Sequence, residues 1–295
     1  MEMQRLIIYE RPNLVQPYLV MGFEGWPDAG RVSSGVASQL KDRLETKKFA
    51  EVKADDFYLF QSPGIEVRRP LTDIEDGLVK SLSLPSTIFW FFKNDKSAHD
   101  LIISLGMEPE LRWNSYVDLV LDLAREFGVQ RLYTIGGTYD TVPHTIEPMI
   151  SAVLNDASLK DEMRGYGVGL IDYKGPSSVH TMLIVSAGKR ELKAASLWGH
   201  VPSYIQVPNA KVCYGILRKL TKMLDIAVDL EDLKKAGEYL DDQVSKAIKQ
   251  KPGLEDYVRR LEEEYSKGKY EAGEPLAQDV IKEVEDFLRK KKDEE

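Results

Sequence analysis

Residues 18–30 read Tyr-Leu-Val-Met-Gly-Phe-Glu-Gly-Trp-Pro-Asp-Ala-Gly, an apolar run followed by a polar, glycine-rich segment. The run Tyr18–Gly22 predicts a β-strand, and the segment after it predicts a loop. A helix is expected to begin near Arg31 or Val32. A strand–loop–helix junction of this kind is typical of open α/β sheets. Such sheets bind ligands there, because backbone N–H groups at the helix start face the crevice.

This loop has two interpretations. Its glycines stand at positions 22, 25 and 30, so neither the GxGxxG dinucleotide fingerprint nor the GxxxxGKS/T phosphate loop is present. Glu24 and Asp28 would repel a phosphate, and Arg31 would offset that only in part. In the first interpretation these side chains bind some other ligand. In the second the glycines allow tight turns, Trp26 anchors the loop by burial and Asp28 caps the helix.

Five further apolar runs predict the rest of a sheet. They are continuous rather than alternating, which indicates strands that are covered on both faces. Two amphipathic segments predict helices, one from Asn114 or Ser115 to Phe127 with Gly128 just past its end, and one over Ala210–Leu224. The pattern predicts an α/β fold, a three-layer sandwich with a mostly parallel sheet. The five runs are Leu6–Tyr9, Thr87–Phe92, Leu132–Ile135, Val168–Ile171 and Ile205–Val207.

The charge distribution changes near residue 225. Residues 226–295 hold 20 acidic and 14 basic side chains, so about half of this segment is charged. We predict an α/β core domain over residues 1–225 and an acidic helical extension over residues 226–295. Three helices with apolar stripes are expected in the extension, around Leu230–Ile248, Leu254–Tyr265 and Leu276–Leu288. These stripes must cover the α/β body or a neighbouring subunit.

The composition excludes several classes of protein. The 295 residues carry a formal net charge of −8 with a pI near 5.3, which argues against nucleic acid as the main partner. The single cysteine, Cys213, excludes an intramolecular disulfide and a cysteine-cluster metal site. No run approaches the length of a membrane-spanning helix, and the N-terminal residues lack the organisation of a signal peptide. We expect a cytoplasmic protein that does not bind membranes.

Three more segments could carry chemistry. Gly136–Thr145 follows a predicted strand and contains Tyr139 and His144, which could bind a small polar ligand or merely satisfy loop backbone groups. A helix is expected to follow it near residues 147–148. Ser196–Tyr204 contains His200 but precedes its predicted strand, so it is not expected to reach the same rim of the sheet. Glu108–Trp113 is either a polar site or a capped helix entry with its tryptophan packed in the core.

Familiar catalytic spacings are missing from the sequence. It has no GxSxG nucleophile elbow, no HExxH, no CxxC and no EF-hand loop. The four histidines are widely separated, and none has metal-ligand spacing to another. We therefore expect no metal and no cofactor. A catalytic triad cannot be assigned from positions that no spacing forces together.

Four of these segments, in order, resemble the proteasome assembly chaperone 2 family. Gly22–Gly30 resembles its GFxGWxDAG loop, and Glu108–Trp113 resembles its EPxxxW element. Gly136–Thr145 is similar to its Gly-Gly…Val-Pro-His-Thr loop, and Trp198–Tyr204 to its late GHxPxYI element. The resemblance implies a domain similar to nucleoside phosphorylases, usually assembled into homo-oligomers, that chaperones proteasome subunits. The final residues, Asp293-Glu294-Glu295, differ from the hydrophobic-Tyr-any end of archaeal relatives, so docking through this terminus is not expected.

Two functions follow from these observations. The first is a non-enzymatic assembly chaperone or self-associating scaffold, whose partners are other copies of the chain and a protein client. The second is an enzyme or small-ligand binder with nucleoside-phosphorylase-like architecture, which would use the rim formed by residues 22–30 and 136–145. The candidate ligand-binding or interface residues are Glu24, Trp26, Asp28, Arg31, Glu108, Trp113, Tyr139, His144 and His200.

Overall fold

The computed structural model describes residues 5–53, 56–60, 70–250 and 252–266. The strands in this part of the chain are β1 (Leu6–Ile8), β2 (Tyr18–Glu24), β3 (Lys47–Val52), β4 (Leu71–Glu75), β5 (Leu78–Ser83), β6 (Thr87–Phe92), β7 (Leu101–Met107), β8 (Arg131–Asp140), β9 (Ile150–Leu154), β10 (Gly169–Leu170) and β11 (Lys193–Pro202). The helices are α1 (Val32–Arg43), α2 (Trp113–Glu126), α3 (Lys160–Gly165), α4 (Val179–Lys189), α5 (Ala210–Met223), α6 (Glu231–Lys249) and α7 (Pro252–Ser266).

Nine of the strands form one sheet in the order β1-β3-β6-β7-β2-β8-β11-β9-β10. The four central strands β7, β2, β8 and β11 are parallel to one another. The strands β1, β3 and β6 continue the sheet on one side in antiparallel pairs, and β9 pairs antiparallel with β11 on the other side. The predicted α/β class is confirmed, with the parallel strands at its centre.

Several predictions about individual elements were wrong. Ile205–Val207 is not a strand, because β11 already ends at Pro202 and Ile205 packs under α6 and α7. No helix begins near residues 147–148, where the chain instead enters strand β9. The central strand β7 and the strand β3, which lies between β1 and β6, were missed. The periodicity of a short apolar run does not distinguish a strand from a buried helix. Pairing with neighbouring strands decides which of the two forms.

Helices cover both faces of the sheet. Alternate residues of β2 show the division, since Leu19, Met21 and Phe23 pack with α2 and α4, whereas Val20 packs with α1 and α5. Two hydrophobic cores result, one on each face. Strands that are buried on both sides keep continuous apolar sequences, which is why β2 and β8 were predicted correctly.

Glycines in three neighbouring strands let helices lie directly on the backbone of the sheet. A Cβ added at Gly22 would lie 2.5 Å from the carbonyl oxygen of Ser33, and one at Gly137 would lie 2.5 Å from that of Ala29. An added Cβ at Gly199 would overlap Val212 of α5. The oxygen of Ser33 belongs to the first turn of α1 and that of Ala29 to the short turn just before it, so any side chain at these positions would push the start of that helix away from the sheet.

The observed starts of α1 and α2 and the end of α2 can be compared with those predicted from the sequence. Helix α1 begins at Val32, as predicted. Helix α2 begins at Trp113 and follows Arg112, which has a φ of +54°. The predicted caps Asn114 and Ser115 therefore lie inside the first turn of α2, and neither makes a side-chain cap there. The predicted end of α2 at Gly128 is confirmed, since this glycine adopts a φ of +69°.

The C-terminal helices α6 and α7 cover the α/β body. Val244 and Ile248 of α6 and Leu254 of α7 pack around Tyr204 and Ile205. The first two helices of the predicted extension are thus confirmed, and the third, around residues 276–288, lies outside the described residues. The division into a domain over residues 1–225 and an extension over residues 226–295 stays a prediction. None of the helices described here is long and apolar enough to cross a membrane.

Replacing Gly137 by alanine tests the close approach of α1 to the sheet. The added methyl group would meet a backbone carbonyl, which cannot rotate away. We expect Gly137→Ala to lower the free energy of unfolding by about 2 kcal/mol, measured by urea denaturation. Gly165→Ala in α3 is the matched control, because no atom lies within 4 Å of its added Cβ. That variant should be as stable as the wild type or slightly more stable. Equal losses in both variants would contradict this account.

Candidate functional site

The predicted loops meet at the carboxyl ends of the parallel strands. Gly137 donates its backbone N–H to the carbonyl oxygen of Pro27 at 2.7 Å, and Asp28 forms an isolated parallel bridge with Gly137. In the neighbouring pair, Thr138 of β8 lies opposite His200 of β11. The expectation that Ser196–Tyr204 would not reach this rim was wrong, because most of this segment is itself the end of β11 rather than a loop before a strand.

An open depression of about 500 Å³ lies between the first two loops. Its lining includes Gly25, Trp26, Asp28 and Tyr139. The side chain of Trp26 is 62% exposed and that of Tyr139 is 42% exposed, so the interpretation in which Trp26 anchors the loop by burial is wrong. The phenol oxygen of Tyr139 accepts the N–H of Gly30 at 3.4 Å.

Asp28 caps helix α1, as the second interpretation of the loop predicted. Its carboxylate accepts the backbone N–H of Ser34 at 2.9 Å and the hydroxyl of the same residue at 2.7 Å. Burial raises the pKa of Asp28 to about 6, although these hydrogen bonds and Arg31 oppose the shift. Arg31 is exposed and adopts a φ of +50° where the chain turns into the helix. The Asp28 carboxylate thus forms hydrogen bonds that hold the loop against the start of helix α1.

Glu108 ties the same loop to helix α4. Its backbone N–H donates to the carbonyl oxygen of Glu24 at 2.8 Å, and its carboxylate accepts the N–H of Val179 at 2.9 Å. Burial raises the pKa of Glu108, although hydrogen bonds from the backbone of Val179 and Trp26 oppose the shift. Trp113 is half-buried and its indole N–H donates to the carbonyl oxygen of Pro109. The segment Glu108–Trp113 therefore holds the loop after β2 and the start of helix α4 in place.

His144 lies away from the rim and fastens α6 to the body. Its backbone N–H donates to the phenol oxygen of Tyr204 at 2.7 Å, and its ring nitrogens contact that oxygen and Ser245 of α6 at 2.9 and 3.0 Å. Lys211 donates to the carbonyl oxygen of His144 and pairs with Asp241 of α6. These contacts agree with the interpretation in which this histidine satisfies local groups. His144 therefore does not join Asp28 and Tyr139 around one ligand.

His200 belongs to a hydrogen-bonded chain that the sequence did not reveal. Its Nδ1 lies 2.6 Å from an oxygen of Asp140, and its Nε2 lies 2.8 Å from Oγ of Ser151. The three residues come from β8, β11 and β9, so only the pairing of the strands brings them together. Asp140 lies within a segment that the sequence marked. Ser151 carried no signal at all, since its strand was predicted to be a helix.

This chain of three side chains borders a cavity of about 110 Å³. Ser151 and His200 are in its lining, and Trp26 and Trp198 stand between this cavity and the open depression. Residues 171–178, just before α4, close its outer side. Ser178 is among the lining residues, and its hydroxyl is buried without a hydrogen-bond partner in the described part of the chain. No group of described His, Cys, Asp or Glu side chains could hold a metal ion.

The buried position of His144 makes stability depend on pH. Burial, helped by the charge of Lys211, lowers its pKa from 6.5 to about 4. The unfolded chain therefore binds more protons than the folded chain between these values, and stability is lost as the pH falls through this window. We expect the titration of His144 to lower the free energy of unfolding by about 2 kcal/mol when the pH is lowered from 7 to 5, measured by urea denaturation.

His144→Gln is the comparison for this measurement. The variant should be less stable at pH 7, because contacts to Tyr204 and α6 are lost, but it should lose less stability on acidification. His180 and Asp28 titrate alike in both proteins, so the difference isolates His144. An unchanged pH dependence in the variant would show that this histidine is not held neutral by the fold.

Comparison with known proteins places the chain in a family. The family model described as "PAC2 family" matches residues 22–248. A PAC2 family protein from Streptomyces avermitilis is 28% identical, with a TM-score of 0.72 over 82% of this chain and 99% of that one. A proteasome-assembly chaperone homologue from Mycobacterium tuberculosis is 25% identical, with a TM-score of 0.73 over the same shares.

The fold is shared more widely. An archaeal proteasome activator from Pyrococcus furiosus is 23% identical and has a TM-score of 0.65 over 82% of this chain and 97% of that one. A search of curated protein sequences returns no match. Because the family model spans most of the chain, including every segment of the rim, the chain belongs to the PAC2 family.

Proposed function

We propose that this protein is a self-associating chaperone of protein assembly, with proteasome components as the class of client. Its family membership supports a chaperone-type role, as does its likeness to the proteasome-assembly chaperone homologue of Mycobacterium tuberculosis. The proposed role needs a surface that holds another polypeptide, and it uses no catalytic step.

One observation carries the proposal, the hairpin formed by β4 and β5. Asp76 and Gly77 connect the two strands with φ values of +50° and +76°, the geometry of a tight two-residue turn. In the described residues these strands pair only with each other. Every residue of both strands is exposed, including the large aliphatic side chains Leu71, Ile74, Leu78, Val79 and Leu82. A group of exposed aliphatic side chains of this kind marks an interaction site.

The register of the hairpin concentrates these side chains on one face. Ile74 lies opposite Val79, and Thr72 lies opposite Leu82. Directly opposite residues share a face, and so do residues two apart on β4. Strand β5 has a register shift at Lys80, so its alternation is interrupted between Val79 and Leu82. Ile74, Val79 and Leu82 therefore form one apolar patch, whereas Leu71 and Leu78 lie on the other face beside polar side chains. We call the first group the hairpin patch.

A second copy of the chain fits this surface. An isolated two-stranded hairpin is marginally stable in water and gains stability when further strands pair with it or an apolar surface covers it. Both outer edges of the hairpin offer backbone N–H and C=O groups in the described structure. Two copies related by a two-fold axis present identical edges and patches, which makes the contact self-complementary. The client would then meet the assembled oligomer.

Light scattering after size exclusion tests this proposal. We expect the full chain at micromolar concentration to be an oligomer, and Ile74→Ser/Val79→Ser to shift it to a monomer. Leu71→Ser/Leu78→Ser is the matched control, because it removes two exposed aliphatic side chains from the opposite face and should leave the oligomer intact. A wild-type monomer, or equal dissociation of both variants, would overturn self-association through the hairpin patch.

The client class is tested separately. Purified chain should speed the assembly of proteasome core subunits from the same host, followed by native gel electrophoresis. The oligomeric wild type and the monomeric hairpin variant are compared at equal concentration. If neither changes the rate or yield of assembly, proteasome subunits are not the client.

A further inference from the structure

The chain of side chains at Asp140, His200 and Ser151 has no part in the proposed assembly role. We propose that Ser151 is a nucleophile that accepts an acyl group from a small carboxylic ester, with His200 as its general base and Asp140 as the positioning residue. The site is the cavity of about 110 Å³ beside Trp26 and Trp198.

The hydrogen bonds fix the direction of proton transfer. A carboxylate only accepts hydrogen bonds, so the contact between Asp140 and Nδ1 of His200 places the proton on Nδ1. A ring with this single proton has its lone pair on Nε2, which can accept the hydroxyl proton of Ser151 at 2.8 Å. This is the tautomer that activates a serine, and the carboxylate would also stabilise the imidazolium formed during reaction.

The strands hold the three groups in place. Trp198 of β11 lies opposite Ser151 of β9, so these side chains share a face, and His200 follows two residues later on the same face. Thr138 lies opposite His200, which puts Asp140 on that face of β8 as well. The other oxygen of the Asp140 carboxylate accepts the N–H of Thr141 at 2.7 Å. A constellation built on paired strands keeps its geometry without a ligand.

The cavity supplies two further requirements. Its apolar lining includes Val153 and Ile171 as well as the two tryptophans, which suits a short acyl chain. Ser178 is also a lining residue; it is 2% exposed, and its hydroxyl oxygen has no hydrogen-bond partner in the described residues. An unsatisfied buried donor is costly unless something accepts from it. The oxyanion of an acyl-transfer intermediate is such an acceptor.

The reaction balances without any group beyond ester and water. Oγ of Ser151 forms a bond to the carbonyl carbon while its proton passes to Nε2 of His200. The bond from that carbon to the alcohol oxygen then breaks, and the alcohol leaves with the proton from His200. Water repeats the sequence on the acyl-serine, giving the free acid and restoring Ser151.

A second serine–histidine pair provides an internal contrast. Oγ of Ser196 lies 3.4 Å from Nδ1 of His180, whose ring is fully buried and whose Nε2 has no partner in the described structure. Among the described residues, no carboxylate forms a hydrogen bond with the His180 ring. Neither Ser196 nor His180 lines the cavity. This pair lacks the features that would activate a serine.

The test uses p-nitrophenyl acetate with the full chain. We expect release of p-nitrophenol and an acetyl group on Ser151, located by peptide mass spectrometry. Ser151→Ala and His200→Gln should each lower the rate at least about 100-fold. Asp140→Asn should lower kcat and leave KM unchanged, since it acts through His200. Ser178→Ala should lower kcat about 10-fold or more.

Ser196→Ala is the matched control and should keep the wild-type rate. The proposal fails if the wild type is not acetylated, if the acetyl group sits elsewhere, or if Ser151→Ala folds and retains the rate. None of these outcomes bears on the hairpin patch.

Discussion

The contact between the start of α1 and the backbone of β2 and β8 is the constraint on which the rest of this structure depends. The ladder between these strands ends where Gly22 lies opposite Ile135. At that point the hydroxyl of Ser33 accepts the N–H of Phe23 at 2.7 Å and donates to the carbonyl oxygen of Ile135. One side chain thus satisfies both strands as they separate. Glycine in the strands is what allows this residue to reach so deep.

The same strands serve two purposes on their two faces. On one face Gly137 and Gly199 admit the helices α1 and α5. On the other face Trp198 and His200, which alternate with Gly199 along β11, border the cavity. Close packing on one side therefore fixes the positions of the polar groups on the other, because the pleat of a strand leaves them no independent freedom. This arrangement explains why the motifs mix glycine with tryptophan and histidine.

More of the fold than of the candidate site could be predicted from the sequence. Continuous apolar runs revealed β2, β6 and β8, and amphipathic periodicity revealed α2 and α5. Strand β7 was missed, and β11 was predicted at Ile205–Val207, after its true position. A short apolar run does not show from sequence alone which strand it pairs with. The rim residues Asp28 and Tyr139 were found from their place after strands. Ser151 was not, since its link to Asp140 and His200 depends on β9 lying beside β11, which no sequence spacing records.

The hairpin of β4 and β5 contributes no side chain to the hydrophobic cores on the two faces of the sheet or to the apolar cluster around Tyr204 and Ile205. Mutations there are consequently free of the packing constraints that hold the glycine-lined helices against the sheet. A change in the binding preference of this hairpin therefore leaves the scaffold of the α/β body as it is.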